Sequence, residues 1–376
     1  MSHTTIALLS TYPPTQCGLA TFTTALYEQL SNAPGHVGVV RVMDKPCDGK
    51  HGPEVVAHLV NGSRPSAAAV VRTLNSFDAV IVQHEYGIYG GPDGVDVLEV
   101  VEALSVPTIM VLHTVLLDPT PRQRFILDRL VDASDVVVTM AETARRRLVE
   151  HYGVDPSRIS VIPHGAIDHR NFRTSHAVSS RPLVLTWGLL GPGKGIEWAI
   201  DAMASLRDVH PRYLVAGKTH PKVLERDGEQ YRHALAERAR GLDVADMVEI
   251  DPSYLAMSEL ANLVAAADVV LLPYDSPDQV TSGVLIEAVA AGRPVVSTGF
   301  PHAVELLAGG SGIIVPRQDP HAIASAVRRV LTEPGLAEHM AAQASRQAPS
   351  LVWSSVAQCY RSLAASLVTD RLLAVS

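Results

Sequence analysis

A polar loop that leads from an apolar run into a helix is the clearest functional signal in this sequence. Residues 268–273 have the length and β-branched content of a buried parallel strand, and the loop leaves from the carboxyl end of that strand, where ligands bind. Thr281, Ser282 and Gly283 then begin a helix, whose free N–H groups and dipole favour an anion. Gln279 and Glu287 bracket this turn and can hydrogen-bond hydroxyl groups. The pattern predicts a sugar-phosphate ester as ligand, although a strand, loop and helix with a glycine can also be purely structural.

A glycine-rich turn in the second half of the chain is another candidate site. It follows a predicted strand and has the sequence Gly-Leu-Leu-Gly-Pro-Gly-Lys-Gly over residues 188–195. Lys194, preceded by Gly193 and next to free backbone N–H groups, suits a diphosphate. The turn is not a Walker loop, because Gly195 follows the lysine where Ser or Thr is needed. ATP hydrolysis is therefore disfavoured.

Polar residues also follow the strands predicted in the first half. Gly18 lies in a loop after the first strand and lets backbone approach a ligand. This loop lacks a Gly-x-Gly-x-x-Gly fingerprint, which disfavours a nicotinamide enzyme. His84 and Glu85 end the third strand, and His113 ends the fourth. A single histidine at a strand end is more often structural, but two together favour a site.

Two weaker features complete the candidate set. Tyr254 follows a strand of the second half and could contact a base. The run of three arginines at residues 145–147 is typical of a solvent-exposed helix face, with contact to anionic lipid or an acidic acceptor as the alternative. No spacing of His, Cys and Asp suggests a metal site.

Composition restricts the class of protein. The 376 residues suggest two domains, and 47% of them are hydrophobic, enough for two cores. A net charge of -8 argues against nucleic acid as a partner. Cys17, Cys47 and Cys359 fit neither a disulfide framework nor a zinc site, which favours a reducing cytoplasm. The apolar start at residues 6–9 is too short for a signal sequence or a membrane span and is expected to be the first strand.

Strands alternate with helices throughout, as in parallel βαβ construction. The alternation pauses at 168–182, where we expect the linker between two doubly wound domains that face each other across a cleft. A last helix from residue 353 carries Val356, Tyr360, Leu363 and Leu367 on one stripe, which must be buried. The predicted strands are 6–10, 37–43, 79–84, 108–113, 136–139, 159–162, 183–187, 212–216, 247–250, 269–272, 295–297 and 312–315.

These motifs together resemble the retaining glycosyltransferases of family 4, which have the two-Rossmann GT-B fold. Residues 276–296 are similar to the family's Glu-x7-Glu segment and its final Glu-Ala-x-Ala-x-Gly-x-Pro-Val-Val. Residues 188–195 resemble its phosphate turn, residues 162–165 its Pro-Asn-Gly, and Trp353 the aromatic residue that begins a helix returning to the first domain.

The resemblance implies how the chain is divided. An acceptor-side Rossmann-like domain would cover residues 1–172 and the returning helix at about 353–376, and a nucleotide-sugar-binding domain would cover 173–352.

The resemblance also implies residue roles. Residues of both halves would bind the donor. Glu287 would contact the ribose, Lys194 the diphosphate, and the N–H groups of Gly283 and Val284 the distal phosphate. His113, Lys194 and Gln279 would act nearest to the reacting carbon, and His84 and Glu85 on the acceptor side. The remaining donor contacts would be Gly18, Gly193, Tyr254 and Ser282.

The chain departs from the family pattern at three positions. Gln279 replaces the first Glu, Leu190 or its neighbour replaces the usual Arg of the phosphate turn, and His164 replaces the Asn before Gly165. An amide both donates and accepts hydrogen bonds, so we expect Gln279 to keep its role on the donor sugar. Loss of the Arg leaves one cation fewer on the diphosphate.

The implied reaction is transfer of a hexose, with mannose or glucose as the guess, from a nucleotide-diphosphate sugar to a carbohydrate or other hydroxyl acceptor. It would proceed with retention and without a metal or other cofactor, through positioning and electrostatics at the leaving group. A nucleotide-sugar 2-epimerase and a catalytically silent nucleotide-sugar-binding protein remain alternatives, since fold alone does not fix function. The sequence leaves the acceptor and the oligomeric state open.

Overall fold

The computed structural model describes residues 4–46, 51–169, 181–253 and 255–375. It contains two compact units, one formed by Met1–Gly165 with Trp353–Ser376 and the other by Ala166–Val352. The chain first passes between the units after Gly165, whereas the expected boundary follows residue 172. Most of the expected linker at 168–182 falls outside the described residues.

The first unit is built on a seven-stranded parallel sheet. Its strands have the order β3-β2-β1-β4-β5-β6-β7, and helices connect most of them. The elements are β1 (Ile6–Ser10), α1 (Gly18–Ser31), β2 (Val37–Met43), β3 (Val55–Val60), α2 (Arg64–Leu74), β4 (Ala79–His84), α3 (Val97–Val101), β5 (Thr108–Leu112), α4 (Pro121–Asp132), β6 (Val136–Thr139), α5 (Glu142–Tyr152) and β7 (Ile159–Val161).

The second unit is built on a six-stranded parallel sheet of order β10-β9-β8-β11-β12-β13. Its elements are β8 (Leu183–Trp187), α6 (Ile196–Met203), β9 (Arg212–Ala216), α7 (Pro221–Asp227), α8 (Gln230–Gly241), β10 (Val248–Asp251), α9 (Met257–Ala266), β11 (Val269–Leu272), α10 (Gly283–Ala290), β12 (Val295–Thr298), α11 (Pro301–Leu307), β13 (Gly312–Val315), α12 (Pro320–Thr332) and α13 (Leu336–Leu351). A final helix, α14 (Trp353–Val375), belongs to the first unit.

Every predicted strand is confirmed to within one residue at each end. One strand, β3, was not predicted from the sequence. It lies at the edge of its sheet, and four of its six residues are only half-buried. An edge strand of this kind lacks the continuous apolar run that identifies central parallel strands.

Both faces of the second sheet are buried. Val269 and Leu271 of β11 pack into one core cluster with α6 and α12, while Val270 and Leu272 pack into another with α10. Alternate residues of a strand point to opposite faces, so helices must cover both sides of this sheet.

The order of each sheet reverses at one place. In the first sheet the chain moves outward in opposite directions from the pair β1 and β4, and in the second from the pair β8 and β11. Loops that leave the carboxyl ends of such a pair diverge and open a crevice, which is where doubly wound sheets bind ligands. The two predicted phosphate-binding segments follow β8 and β11.

The predicted apolar stripe on the last helix is confirmed. Val356 and Tyr360 are buried in the core cluster of the first unit, and Leu363 and Leu367 pack against it. Trp353 begins the helix and meets Phe22 of α1 edge-on, with 4.8 Å between ring centroids. A methyl group added to Gly165 would lie 2.1 Å from Cδ2 of this tryptophan.

We therefore expect Gly165→Ala to destabilise the first unit. The new methyl group and the Trp353 ring cannot occupy the same space, and overpacking of this kind costs about 1–3 kcal/mol. Urea unfolding of both proteins measures the difference. Gly18→Ala is the control, because a methyl group there meets nothing within 4 Å. Equal midpoints for wild type and Gly165→Ala would contradict the predicted clash.

Candidate functional site

The glycine-rich turn of the second unit rests on the end of β11. Gly195 is left-handed, with φ 63°, and a methyl group on it would lie 1.8 Å from the carbonyl oxygen of Pro273. The backbone N–H of Asp275 donates to the Gly193 carbonyl at 3.0 Å. Gly193 has φ 88° and open space where a side chain would be. Only glycine permits this close approach, which brings the turn and the loop after β11 together.

A segment after β9 supports the other side of the turn. The N–H of Leu190 donates to the Lys218 carbonyl, and the N–H of His220 donates to the Leu190 carbonyl, both at 2.8 Å. Arg232 of α8 donates through Nη2 to the Gly217 carbonyl at 2.7 Å. These bonds fix the turn from both flanks before any ligand binds.

Lys194 carries the positive charge of this turn. Its Nζ atom lies 4.2 Å from the ring centroid of Tyr274, and within the described part of the chain it forms no ion pair with a carboxylate. Leu190 is 2% exposed and packs in the core. The half-buried Leu189, and not Leu190, is therefore the neutral residue on the outer side of the turn.

The first turn of α10 leaves two backbone donors open. Ser282 caps the helix by accepting from Leu285 N at 3.2 Å, and its own N–H donates to Nδ1 of His302 at 2.9 Å. No acceptor among the described residues takes the N–H groups of Gly283 and Val284. The sequence analysis missed His302, whose role depends on its being buried behind the loop.

The two polar residues that bracket α10 already have contacts. Gln279 donates through Nε2 to the Thr281 carbonyl at 2.9 Å, which fixes the amide within its own loop. The Glu287 carboxylate accepts from Ile167 N at 3.1 and 3.2 Å and lies 3.3 Å from Nε2 of His169. A carboxylate has about four acceptor sites, so Glu287 keeps capacity for a ligand hydroxyl. Sequence reasoning had no signal for Ile167 or His169.

Gly18 begins α1 at the carboxyl end of β1. The preceding Cys17 caps the helix, since its Sγ accepts from Ala20 N at 3.4 Å and lies 3.2 Å from Thr11 Oγ1. A side chain at Gly18 would meet nothing within 4 Å. The helix start is therefore open at the position that the sequence predicts for ligand contact.

His113 lies just beyond β5. Its Nε2 atom is 2.6 Å from Oε1 of Gln83, and its ring meets Phe22 edge-on at 5.0 Å between centroids. Burial, followed by the charges of His164 and His84, lowers the pKa of His113 to about 3. The imidazole is therefore neutral near neutral pH and can hydrogen-bond a hydroxyl group without adding charge.

The two residues predicted to lie on the acceptor side, His84 and Glu85, differ in burial. His84 is fully buried, and burial lowers its pKa to about 4, so its side chain presents no surface to an acceptor. The expectation that it contacts the acceptor is corrected accordingly. Glu85 is half-buried and accepts from Tyr86 N at 3.0 Å and Thr114 Oγ1 at 2.5 Å. Tyr254, predicted to contact a base, lies outside the described residues.

The described residues lack two kinds of feature. They contain no group of three or more His, Cys, Asp or Glu side chains that could hold a metal ion. No helix formed by them is both long and apolar enough to cross a membrane.

The fold is that of GT-B glycosyltransferases, with two Rossmann-like units. In each unit, loops diverge at the point where the strand order of the sheet reverses. The structure resembles the Anabaena protein HepE in complex with UDP, with TM-score 0.75 and 18% identity over 96% of this chain and 100% of that one. It also resembles sucrose-phosphate synthase from Thermosynechococcus elongatus, with TM-score 0.74 and 18% identity over the full length of both chains.

Sequence matches identify the family. The family described as Glycosyltransferase Family 4 matches residues 17–170, and the one described as Glycosyl transferases group 1 matches residues 181–333. The two matches together cover most of the chain, which belongs to the group 1, family 4 type of glycosyltransferases.

Curated relatives are similar over part of their length. The chain is 31% identical to a D-inositol 3-phosphate glycosyltransferase of Kineococcus radiotolerans over 67% of this chain and 62% of the relative. It is 32% identical to an enzyme of the same name from Thermobifida fusca over 61% and 54%. The chain thus spans less than two thirds of the length of these relatives.

The buried histidines make stability dependent on pH. An unfolded histidine has a pKa of about 6.5, whereas the native pKa of His84 is about 4. The unfolded state binds more protons between these values, so the free energy of unfolding falls as the pH drops below about 6.5. The slope from His84 is at most about 1.4 kcal/mol per pH unit.

We expect His84→Leu to unfold less readily in acid than wild type, because it removes a buried imidazole whose two nitrogens have no hydrogen-bond partner among the described residues. Denaturant unfolding at pH 7, 6 and 5 measures the slope. His321→Leu, which replaces an exposed histidine, is the control. If the free energy of unfolding depended on pH equally in His84→Leu and in wild type, the pKa of His84 would be the same in the native and unfolded states, which would contradict the prediction.

Proposed function

We propose that this protein is a retaining glycosyltransferase that moves a hexose from a nucleotide-diphosphate sugar to an acceptor hydroxyl. The observation that carries the proposal is the paired arrangement at the ends of β8 and β11. A glycine-rich turn lies against the loop that leads to α10. Among the described residues, its one lysine forms no ion pair with a carboxylate, and two N–H groups of α10 have no acceptor. Such a combination of a cation and a helix N-terminus suits a diphosphate ester.

The second unit would bind the donor through four groups. The Lys194 ammonium would contact the diphosphate, and the N–H groups of Gly283 and Val284 would donate to its distal phosphate. Glu287 would accept from the ribose hydroxyls, using the capacity that Ile167 and His169 leave. Gln279, fixed by the Thr281 carbonyl, would hydrogen-bond the sugar hydroxyls.

Similar proteins suggest the donor and the acceptor to test first. HepE has been crystallised with UDP and with UDP-glucose, which makes UDP-glucose the first donor candidate. The names of the curated relatives make a phosphorylated polyol, such as D-inositol 3-phosphate, the first acceptor candidate.

Catalysis would depend on stabilising the leaving group. Cleavage of the bond to the anomeric carbon places negative charge on the diphosphate, which the α10 N–H groups and Lys194 would stabilise. The acceptor hydroxyl would then attack the face from which the diphosphate departs, and its proton would pass to an oxygen of the departing diphosphate. No step requires a metal ion. His113, neutral because its pKa is about 3, would hydrogen-bond the donor sugar.

Product analysis tests the proposed activity directly. A panel of UDP-glucose, other UDP-sugars and GDP-mannose is incubated with and without D-inositol 3-phosphate, and products are identified by mass and by NMR of the anomeric carbon. A retaining transferase consumes donor when acceptor is present and keeps the anomeric configuration. Conversion of donor without acceptor would identify an epimerase, and saturable binding without turnover would identify a silent binder.

We expect Lys194→Ala to reduce donor turnover without unfolding the protein. Removal of one group that stabilises the leaving group typically lowers kcat by about a hundredfold or more. Steady-state kinetics and urea unfolding of the variant measure both effects. Lys222→Ala is the matched control, because Lys222 is an exposed lysine of the same unit. Wild-type kinetics in Lys194→Ala would contradict the assigned role.

The two polar residues around α10 should differ in what they recognise. Glu287→Gln keeps an acceptor for Ile167 but removes the charge, so it should weaken UDP and UDP-sugar equally, by about tenfold. Gln279→Ala should weaken chiefly the UDP-sugar, because the amide would face the sugar. Calorimetric titration with both ligands separates the two cases. Equal losses for both ligands in both variants would refute the division of roles.

A further inference from the structure

The aromatic ring beneath the single lysine of the phosphate turn has no assigned role. We infer that Tyr274 is a positioning residue, which holds the Lys194 ammonium in place so that an arriving diphosphate meets an ordered cation. The inference rests on the proposed function, because it names a further residue of the same donor site. Its starting observation is the 4.2 Å distance between Lys194 Nζ and the ring centroid of Tyr274.

The ring is rigidly held. Tyr274 is 1% exposed and stacks on Phe300 with 5.5 Å between centroids and 22° between the ring planes. Its carbonyl accepts from Thr298 Oγ1 at 2.6 Å, which ties the residue to the end of β12. One face is therefore occupied by Phe300, and an ammonium is attracted to the face of such a ring by its negative quadrupole.

The backbone of the lysine is also fixed. Lys194 N donates to the Gly191 carbonyl at 3.2 Å, and the neighbouring Gly193 and Gly195 are held against residues 273–275. With its backbone set and no carboxylate partner within the described residues, the flexible stem and ammonium are ordered by the ring. Rotamer freedom lost before binding does not have to be lost on binding, which raises affinity for the diphosphate.

The hydroxyl of Tyr274 is not needed for this role. It is buried and has no hydrogen-bond partner among the described residues. Tyr274→Phe therefore retains the aromatic face and serves as the matched control, while Tyr274→Leu removes the face and keeps an apolar side chain.

Two measurements test the inference. The chain has only five lysines, so NMR of carbon-13 dimethylated lysines gives few signals, and Lys194→Arg assigns the one of interest. We expect that signal to be shifted upfield by the ring current in wild type and Tyr274→Phe, and to lose this shift in Tyr274→Leu. Calorimetry with UDP, or with GDP where UDP does not bind, should show binding weakened about fivefold by Tyr274→Leu and unchanged by Tyr274→Phe.

A double-mutant cycle separates positioning from general damage to the site. In a Lys194→Ala background, Tyr274→Leu should cause no further loss of affinity, because the ring acts only through the lysine. A further loss of the full fivefold, or UDP binding by Tyr274→Leu equal to wild type, would overturn the inference alone. Binding of neither diphosphate by wild type would overturn the proposed function and this inference with it, even where the ring-current shift persists.

Discussion

The close approach between Gly195 and the Pro273 carbonyl is the contact on which the proposed donor site depends. No side chain fits between them, so the turn after β8 can lie directly on the end of β11. This contact joins the two loops that diverge at the reversal point of the second sheet. It also sets the distance from which Lys194 reaches Tyr274 and brings Gly193 within hydrogen-bond distance of Asp275. A larger residue at this position would separate the cation from the helix that we propose to share its ligand.

The backbone N–H groups at the start of α10 fall into two sets, those bonded within the protein and those without an acceptor among the described residues. An isolated helix leaves several N–H groups without partners, and all of them could bind an anion. Here Ser282 takes the N–H of Leu285, and buried His302 takes the N–H of Ser282. The loop is thereby fixed, while no acceptor among the described residues takes the N–H groups of Gly283 and Val284, which remain for the proposed ligand. His302 thus determines indirectly which part of the helix start remains available.

The sequence predicted the fold more completely than the site. Central parallel strands are buried on both faces, so their apolar runs identified β1, β8 and β11 with little ambiguity, while the half-buried edge strand β3 gave no such run. Local motifs also singled out Lys194 and Gln279, which lie in the turn after β8 and in the loop before α10. The partners of Glu287 could not be predicted, because Ile167 and His169 lie about 120 residues away and carry no motif. Tyr274 directly follows the apolar run at residues 268–273, but only the structure shows that its ring lies against the Lys194 ammonium.

In the proposed donor site, the two departures from the family pattern that the sequence suggests would offset each other in charge. Relative to that pattern, Leu189 removes a cation from the phosphate turn and Gln279 removes an anion from the loop before α10. A carboxylate near a bound diphosphate repels it, and an arginine attracts it, with Coulomb energies of similar size at similar distances. In the proposed site, losing both would leave the sum of these two charges unchanged. The attraction supplied by the turn would then depend on Lys194 and on neutral backbone donors, so the geometry of that lysine would matter more than it would beside a second cation.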